Sequence, residues 1–226
     1  MKIEDLFKKL RKIYGKHVDW WPKYSDNHVF EIAVGAILTQ QTRWENVEKV
    51  IKKMIELGIL NPEKILSIEK KKLEKIIKPC GFPSVKAKRL KNFSSLVIKD
   101  LRGNLKNLSK LKVDEARKLL LKINGIGKET ADDILLYAGD MKTIPVDYYT
   151  KRFFKRIGIT DASGYETIRK MILDEINSIN DLKEFHALIV EHSKRVCRQG
   201  PLCEKCGLKK FCKHYQLNRK SKKVYT

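Results

Sequence analysis

Apolar residues recur at intervals of three and four along almost the whole chain, and the strict alternation of a half-buried strand is nearly absent. That recurrence is the signature of helices with one buried stripe, and it restricts the chain to all-α architectures. The clearest runs are "VFEIAVGAILTQ", "NVEKVIKKMIEL", "VKAKRLKNFSSLVIKDL", "VDEARKLLLKI" and "ETADDILLYAG". Breaks at "WWPKYSDNH", "LGILNPEK", "KPCGFPS", "LRGNLKN", "INGIGK" and "GDMKTIPVD" predict about ten short helices joined by tight turns. Two lobes are expected: a central helical domain over 25–140, and a second lobe built from 1–24 together with 141–226. The start, "MKIEDLFKKLRKIYGKH", reads as an amphipathic helix, and the tail "NRKSKKVYT" as a frayed basic end. No run approaches the ~18 uninterrupted apolar residues of a membrane span, so a soluble, intracellular, cytoplasmic protein is expected.

The chain has 226 residues, enough for two small lobes with real cores. Lys and Arg total 49 against 27 Asp and Glu, a formal net charge of +22. Lysine enrichment for heat resistance would come with matching glutamate. The mismatch points instead to a polyanionic partner, nucleic acid above all.

"VDEARKLLLKI-NGIG-KETADDILLYA" is two helices around a hairpin. Gly125 and Gly127 permit positive φ and leave no side chain over the backbone, so the amides opening the next helix form an anion site. With the apolar Ile126 between the glycines and Lys128 after them, this is a helix-hairpin-helix, a grip on a DNA backbone that ignores sequence. Asp147 follows "KTIPV" and opens "YYTKRFFKRIGI", where an aspartate is by default a helix N-cap. Capping and catalysis are compatible in one side chain.

Hairpin glycines, the "TA" after them and "VD" some twenty residues on resemble the endonuclease III superfamily of base-excision DNA glycosylases. The likeness runs from about residue 25 to 212. It implies a two-lobed all-α fold, with Asp147 as the essential aspartate. "AILTQQT" is similar to the superfamily segment whose glutamine enters the DNA near the extruded base, which makes Gln40 or Gln41 the wedge. Members that also nick the backbone carry a lysine after the hairpin for a Schiff base. Glu129 stands there, and Lys128 lies one residue off, turned by about 100° on a helix. The resemblance therefore implies a monofunctional enzyme, with Glu129 an acid in a first helical turn or a lining group of the base pocket.

All three tryptophans fall early: Trp20 and Trp21 with Pro22 in "DWWPKY", and Trp44 in "QQTRWENV". Core packing is the usual fate of tryptophan. A flipped base also needs stacking walls, and a cationic one such as 3-methyladenine gains about 0.5–2 kcal/mol from an electron-rich ring. "WWP", "AILTQQTRWENV", "KPCGFPSVKAKRL", "GIGKETADDILLYA" and "VDYYTKRFFKRIGI", in that order, resemble the bacterial 3-methyladenine DNA glycosylases of the superfamily. That resemblance implies Trp21 and Trp44 as a sandwich around the base. None of the five histidines falls in these motifs.

Cys197, Cys203, Cys206 and Cys212 are spaced C-x5-C-x2-C-x5-C, which in a reducing compartment suggests metal rather than disulfides. Tetrahedral zinc is one possibility, though zinc ribbons usually supply two C-x2-C knuckles. The order resembles the [4Fe–4S] loop of endonuclease III with one residue missing from the first gap, and implies a structural cluster. Lys194, Arg195, Arg198, Lys205, Lys209, Lys210 and Lys213 surround these ligands and are expected to face phosphates. Cys80 lies far off and reads as a packed thiol.

The expected function is hydrolysis of the N-glycosidic bond of alkylated purines, 3-methyladenine first, in damaged double-stranded DNA by a single copy of the chain. Two rival readings differ in kind: removal of uracil or thymine opposite guanine, or of oxidised pyrimidines, and non-catalytic DNA binding through the hairpin alone.

Overall fold

A computed structural model describes the backbone of residues 1–17 and 20–223, and side chains as far as residue 219. Among the described residues there are twelve α-helices, short 3-10 turns and no strand. The chain divides into two compact units, one of residues 21–141 and one of residues 1–20 with 142–226.

In the continuous unit the helices are α2 (His28–Thr39), α3 (Trp44–Glu56), α4 (Pro62–Ser67), α5 (Lys70–Ile77), α6 (Pro83–Asp100), α7 (Val113–Leu121) and α8 (Lys128–Asp133). Every residue of α2 from Phe30 to Leu38 is buried, so this helix has no solvent face and forms the unit's axis. Around it pack α3, α6, α8 and a π-helical segment, Ile134–Ala138, that continues α8. "ETADDILLYAG" thus reads as one helix, but its second half is wound wider, a feature that apolar period alone does not signal. Local chemistry sets the helix starts. Asn61 caps α4 by accepting the Lys64 amide at 2.8 Å, with Pro62 preset for the first turn. A 3-10 turn, Lys78–Cys80, joins α5 to α6.

In the discontinuous unit α1 (Ile3–Tyr14) packs on α10 (Tyr165–Glu175) and α11 (Ile179–Arg195), while α9 (Tyr148–Ile157) packs on α11 and α12 (Lys213–Lys223). Ile3, Leu6, Phe7 and Leu10 are the buried stripe of α1. Arg11 on the same helix holds Glu184 by two hydrogen bonds of 2.8 and 2.6 Å and Asp181 by one of 2.8 Å. The N-terminal helix is thereby fixed to residues far along the chain. Among the described residues no helix is long and apolar enough to cross a membrane.

Candidate functional site

The hairpin forms as its sequence requires. Gly125 has φ +90°, and a Cβ there would overlap the Arg89 side chain, so both the backbone angle and the space demand glycine. Ile126 is 4% exposed and anchors the turn, while Gly127 and Lys128 are exposed. Glu129 is exposed in the first turn of α8.

Gln40 and Gln41 have opposite fates. Gln40 donates to the Gly125 carbonyl at 3.2 Å and to Thr130 Oγ1 at 2.8 Å, and its own oxygen accepts from Arg89. Its amide is therefore spent on tying the end of α2 to the hairpin. Gln41 is exposed and held at φ +55°, a left-handed conformation uncommon for any residue but glycine. Phe82 shares that signature, at φ +48° and 60% exposed, directly before α6. Sequence reading passed over Phe82, and the available signal was a large apolar residue between Gly81 and Pro83 in a turn.

Trp21 and Trp44 come together with Tyr137. Their ring centroids are 5.2 Å apart and their planes stand at 85°, whereas a sandwiched base needs two parallel planes about 7 Å apart. The two indoles meet edge to face, so in this arrangement one indole at a time presents a face. Tyr137 lies 5.8 Å from Trp21 at a tilt of 59°. Gly35 lets the group close, since a Cβ there would sit 3.0 Å from Trp21 Cζ3. Trp20 belongs to the other unit, its ring 6.3 Å from that of His17 and beneath the Lys194 ammonium at 5.8 Å. Pro22 follows Trp21, partly exposed.

Asp147 is the N-cap of α9. Its Oδ1 accepts from both the Thr150 amide and Thr150 Oγ1, each at 2.7 Å, which leaves Oδ2 facing His186 Nε2 at 3.7 Å. Both side chains are largely buried, at 14% and 8% exposure. Burial would raise the carboxyl pKa, but His186 and the Thr150 donors outweigh it and hold Asp147 below its ordinary 3.8. No motif flagged His186. It sits on α11, and only the packing of α11 against α9 brings it to the carboxylate.

Cys197, Cys203, Cys206 and Cys212 line one small cavity with Phe153, His192 and other residues. Among the described residues no three His, Cys, Asp or Glu side chains are drawn together closely enough to hold a metal ion. Burial pushes the thiols of Cys197, Cys203 and Cys206 above the usual range. Arg156, unremarked in the sequence, threads this loop: it donates to the carbonyls of Cys197, Arg198 and Gln199 at 3.2, 2.6 and 2.9 Å and lies 3.6 Å from Cys197 Sγ. One turn earlier Arg152 donates to the Cys197 and Ser193 carbonyls at 3.1 and 3.3 Å. The helix capped by Asp147 therefore carries the cysteine loop on its later turns. Cys80 is fully buried, its thiol pushed up to about 11 by desolvation.

A family model described as HhH-GPD superfamily base excision DNA repair protein matches residues 34–177. A protein of Methanocaldococcus jannaschii, named as a candidate DNA repair glycosylase, is 44% identical over 216 residues, covering 93% of this chain and 95% of that one. The 3-methyladenine DNA glycosylase of H. pylori, solved bound to 1,N6-ethenoadenine, is 30% identical with a TM-score of 0.75, over 86% of this chain and 98% of that one. Endonuclease III in a non-covalent DNA complex shares the fold, with a TM-score of 0.80 at 21% identity over 96% and 97% of the chains.

Proposed function

The chain belongs to the HhH-GPD superfamily of base excision DNA repair proteins, and on that premise we propose that this DNA glycosylase is monofunctional and removes alkylated purines, 3-methyladenine foremost. The observation that carries the substrate reading is the aromatic group of Trp21, Trp44 and Tyr137 gathered over Gly35. A cationic base is attracted to such rings, whereas uracil, thymine or an oxidised pyrimidine needs hydrogen-bond donors in its pocket. The 30% identity with the H. pylori enzyme supports the same choice.

In this reading the hairpin and the basic surface hold the duplex through phosphates. Gln41 is the wedge, because Gln40 is already committed to Gly125, Thr130 and Arg89. The extruded base stacks on one indole face, with Pro22 and Trp20 bordering the segment that presents Trp21. Asp147 Oδ2 stabilises positive charge growing on the sugar as the glycosidic bond breaks, and orients the attacking water. A cationic base leaves without prior protonation, so the site requires no separate acid.

The four cysteines are assigned to a [4Fe–4S] cluster rather than zinc. They line one cavity, and their C-x5-C-x2-C-x5-C order supplies one C-x2-C pair flanked by two single cysteines rather than the two knuckles of a zinc ribbon. When bound, the cluster supplies structure, cross-linking a loop that otherwise holds only short turns. Arg152 and Arg156 tie the start of that loop to α9.

Glu129 cannot form an imine, so sodium borohydride is expected to trap no covalent complex with substrate DNA, and strands to break only after alkali. Efficient trapping would assign a lyase amine, Lys128 being the nearest, and end the monofunctional reading.

The substrate reading is tested by rates of release of 3-methyladenine, uracil and thymine opposite guanine, measured beside melting temperature. Trp44→Ala should cut 3-methyladenine release by about tenfold or more, each stacking face contributing on the order of 1–3 kcal/mol. Phenylalanine at 44 should restore much of it. Equal loss on every lesion, in step with melting temperature, would reduce Trp44 to core packing. A wild-type enzyme that ignores 3-methyladenine but removes mismatched pyrimidines would overturn the substrate.

A further inference from the structure

We propose that Lys86 is a positioning residue: its buried ammonium sets the register of the two turns that carry Gln41 and Phe82 toward DNA. The inference rests on Gln41 as the wedge of the reading above, and extends that role to Phe82, which shares its exposure and backbone conformation.

Lys86 is 1% exposed, an unusual place for a lysine. Its Nζ donates to the Leu38 carbonyl at 2.8 Å and to the Cys80 carbonyl at 2.6 Å. Leu38 lies in the last turn of α2, where carbonyls have no partner within the helix, and Cys80 closes the 3-10 turn after α5. One cation therefore caps two helical ends, each of which favours positive charge. Three residues beyond the first carbonyl stands Gln41, and two beyond the second stands Phe82. Among the described residues these are two of the four non-glycine residues with positive φ, conformations that persist only where the surroundings over-determine them.

Lys86 also brackets the second turn from its own backbone, its amide donating to the Phe82 carbonyl at 3.0 Å. One helical turn on, Arg89 reaches the Gln40 side chain and lies across Gly125. The opening turns of α6 thus connect both exposed turns to the hairpin through buried or half-buried cations. An apolar side chain at 86 would fill the space and leave two buried carbonyls unsatisfied, so both turns would relax together.

The same helix supplies the control. Lys91 also donates to two carbonyls, Leu66 at 2.7 Å and Ile68 at 2.6 Å, but these end α4, which carries neither Gln41 nor Phe82. Lys86→Met and Lys91→Met should both lower the melting temperature. Only Lys86→Met should raise amide exchange of segments 38–43 and 79–84 together, by about tenfold or more, with the hairpin segment 122–128 unchanged. On a duplex carrying 2-aminopurine beside a tetrahydrofuran abasic analogue, only Lys86→Met should lose most of the fluorescence change on binding, while affinity for undamaged duplex stays within about threefold. If Lys86→Met proves insoluble, Lys86→Gln, which keeps a shorter donor, should give an intermediate response in both measurements. Wild-type exchange at both segments in Lys86→Met, or equal disturbance of them in Lys91→Met, overturns the proposal. A Gln41→Ala, Phe82→Ala double variant that keeps the full fluorescence change would instead remove the insertion reading, while the exchange arm still decides the role of Lys86.

Discussion

Asp147→Asn should release base about a thousandfold more slowly than the wild type under single-turnover conditions, and bind undamaged duplex as well or better. The substitution separates the two duties of this side chain. Asparagine is as good an N-cap as aspartate and keeps an oxygen for the Thr150 amide and hydroxyl, so α9 retains its start. What disappears is the charge on the side facing His186. The pH dependence follows from the same geometry. His186 and Thr150 hold the carboxyl below its ordinary range against burial, so the active anion, and the stability it contributes, persist as pH falls and are lost only on passing the depressed pKa. Replacing His186 with phenylalanine removes the larger counterweight, and burial then dominates. The acid limb of the rate profile should move to higher pH, measurable between about pH 4 and 8. Near-normal turnover by Asp147→Asn would end the catalytic assignment, and an unmoved acid limb would limit His186 to packing.

Legibility in the sequence followed the range of the forces involved. The helical period, the cap at Asp147 and the glycine turn at 125 depend on neighbours a few residues away, and each is as its local sequence reads. Partners chosen by tertiary packing were not readable. Lys86 stands in "KAKR", which looks like a solvated charge run, yet its ammonium is buried because α6 crosses the ends of α2 and the 3-10 turn after α5. Arg152 and Arg156 look like two more basic residues on a helix, but a spacing of four places them on one face, and that face meets the cysteine loop. The angle between the Trp21 and Trp44 rings was not readable, since it depends on Gly35 admitting the Trp21 ring from a different segment.

Loss of Cys203, a ligand in the reading proposed above, should be more damaging to the fold than any other single change considered. Residues 197–212 hold only two short 3-10 turns, Cys203–Lys205 and Lys209–Phe211, and none of the residues in those turns is buried. Only Cys197 and Leu208 of this stretch are buried, so beside its turn hydrogen bonds we assign much of the loop's order to Arg152, Arg156 and the group that the four thiols bind. Cys203→Ala is therefore expected to lower the melting temperature by about 10 °C or more, since several kcal/mol of ligation energy convert at roughly 2–4 °C per kcal/mol for a chain of this size. Cys80→Ala is the matched control: it empties a fully buried thiol site in the other unit and should cost only a few degrees through packing. The purified wild type should be yellow-brown, absorb broadly near ~400 nm and carry about four irons per chain, as a four-thiolate cubane requires. Cys80→Ala should keep that colour and iron, and Cys203→Ala should lose both along with solubility. A colourless wild type holding one zinc would overturn the cluster while keeping the loop's dependence on its cysteines. A Cys203→Ala protein with wild-type melting and iron would show that this cysteine ligates nothing.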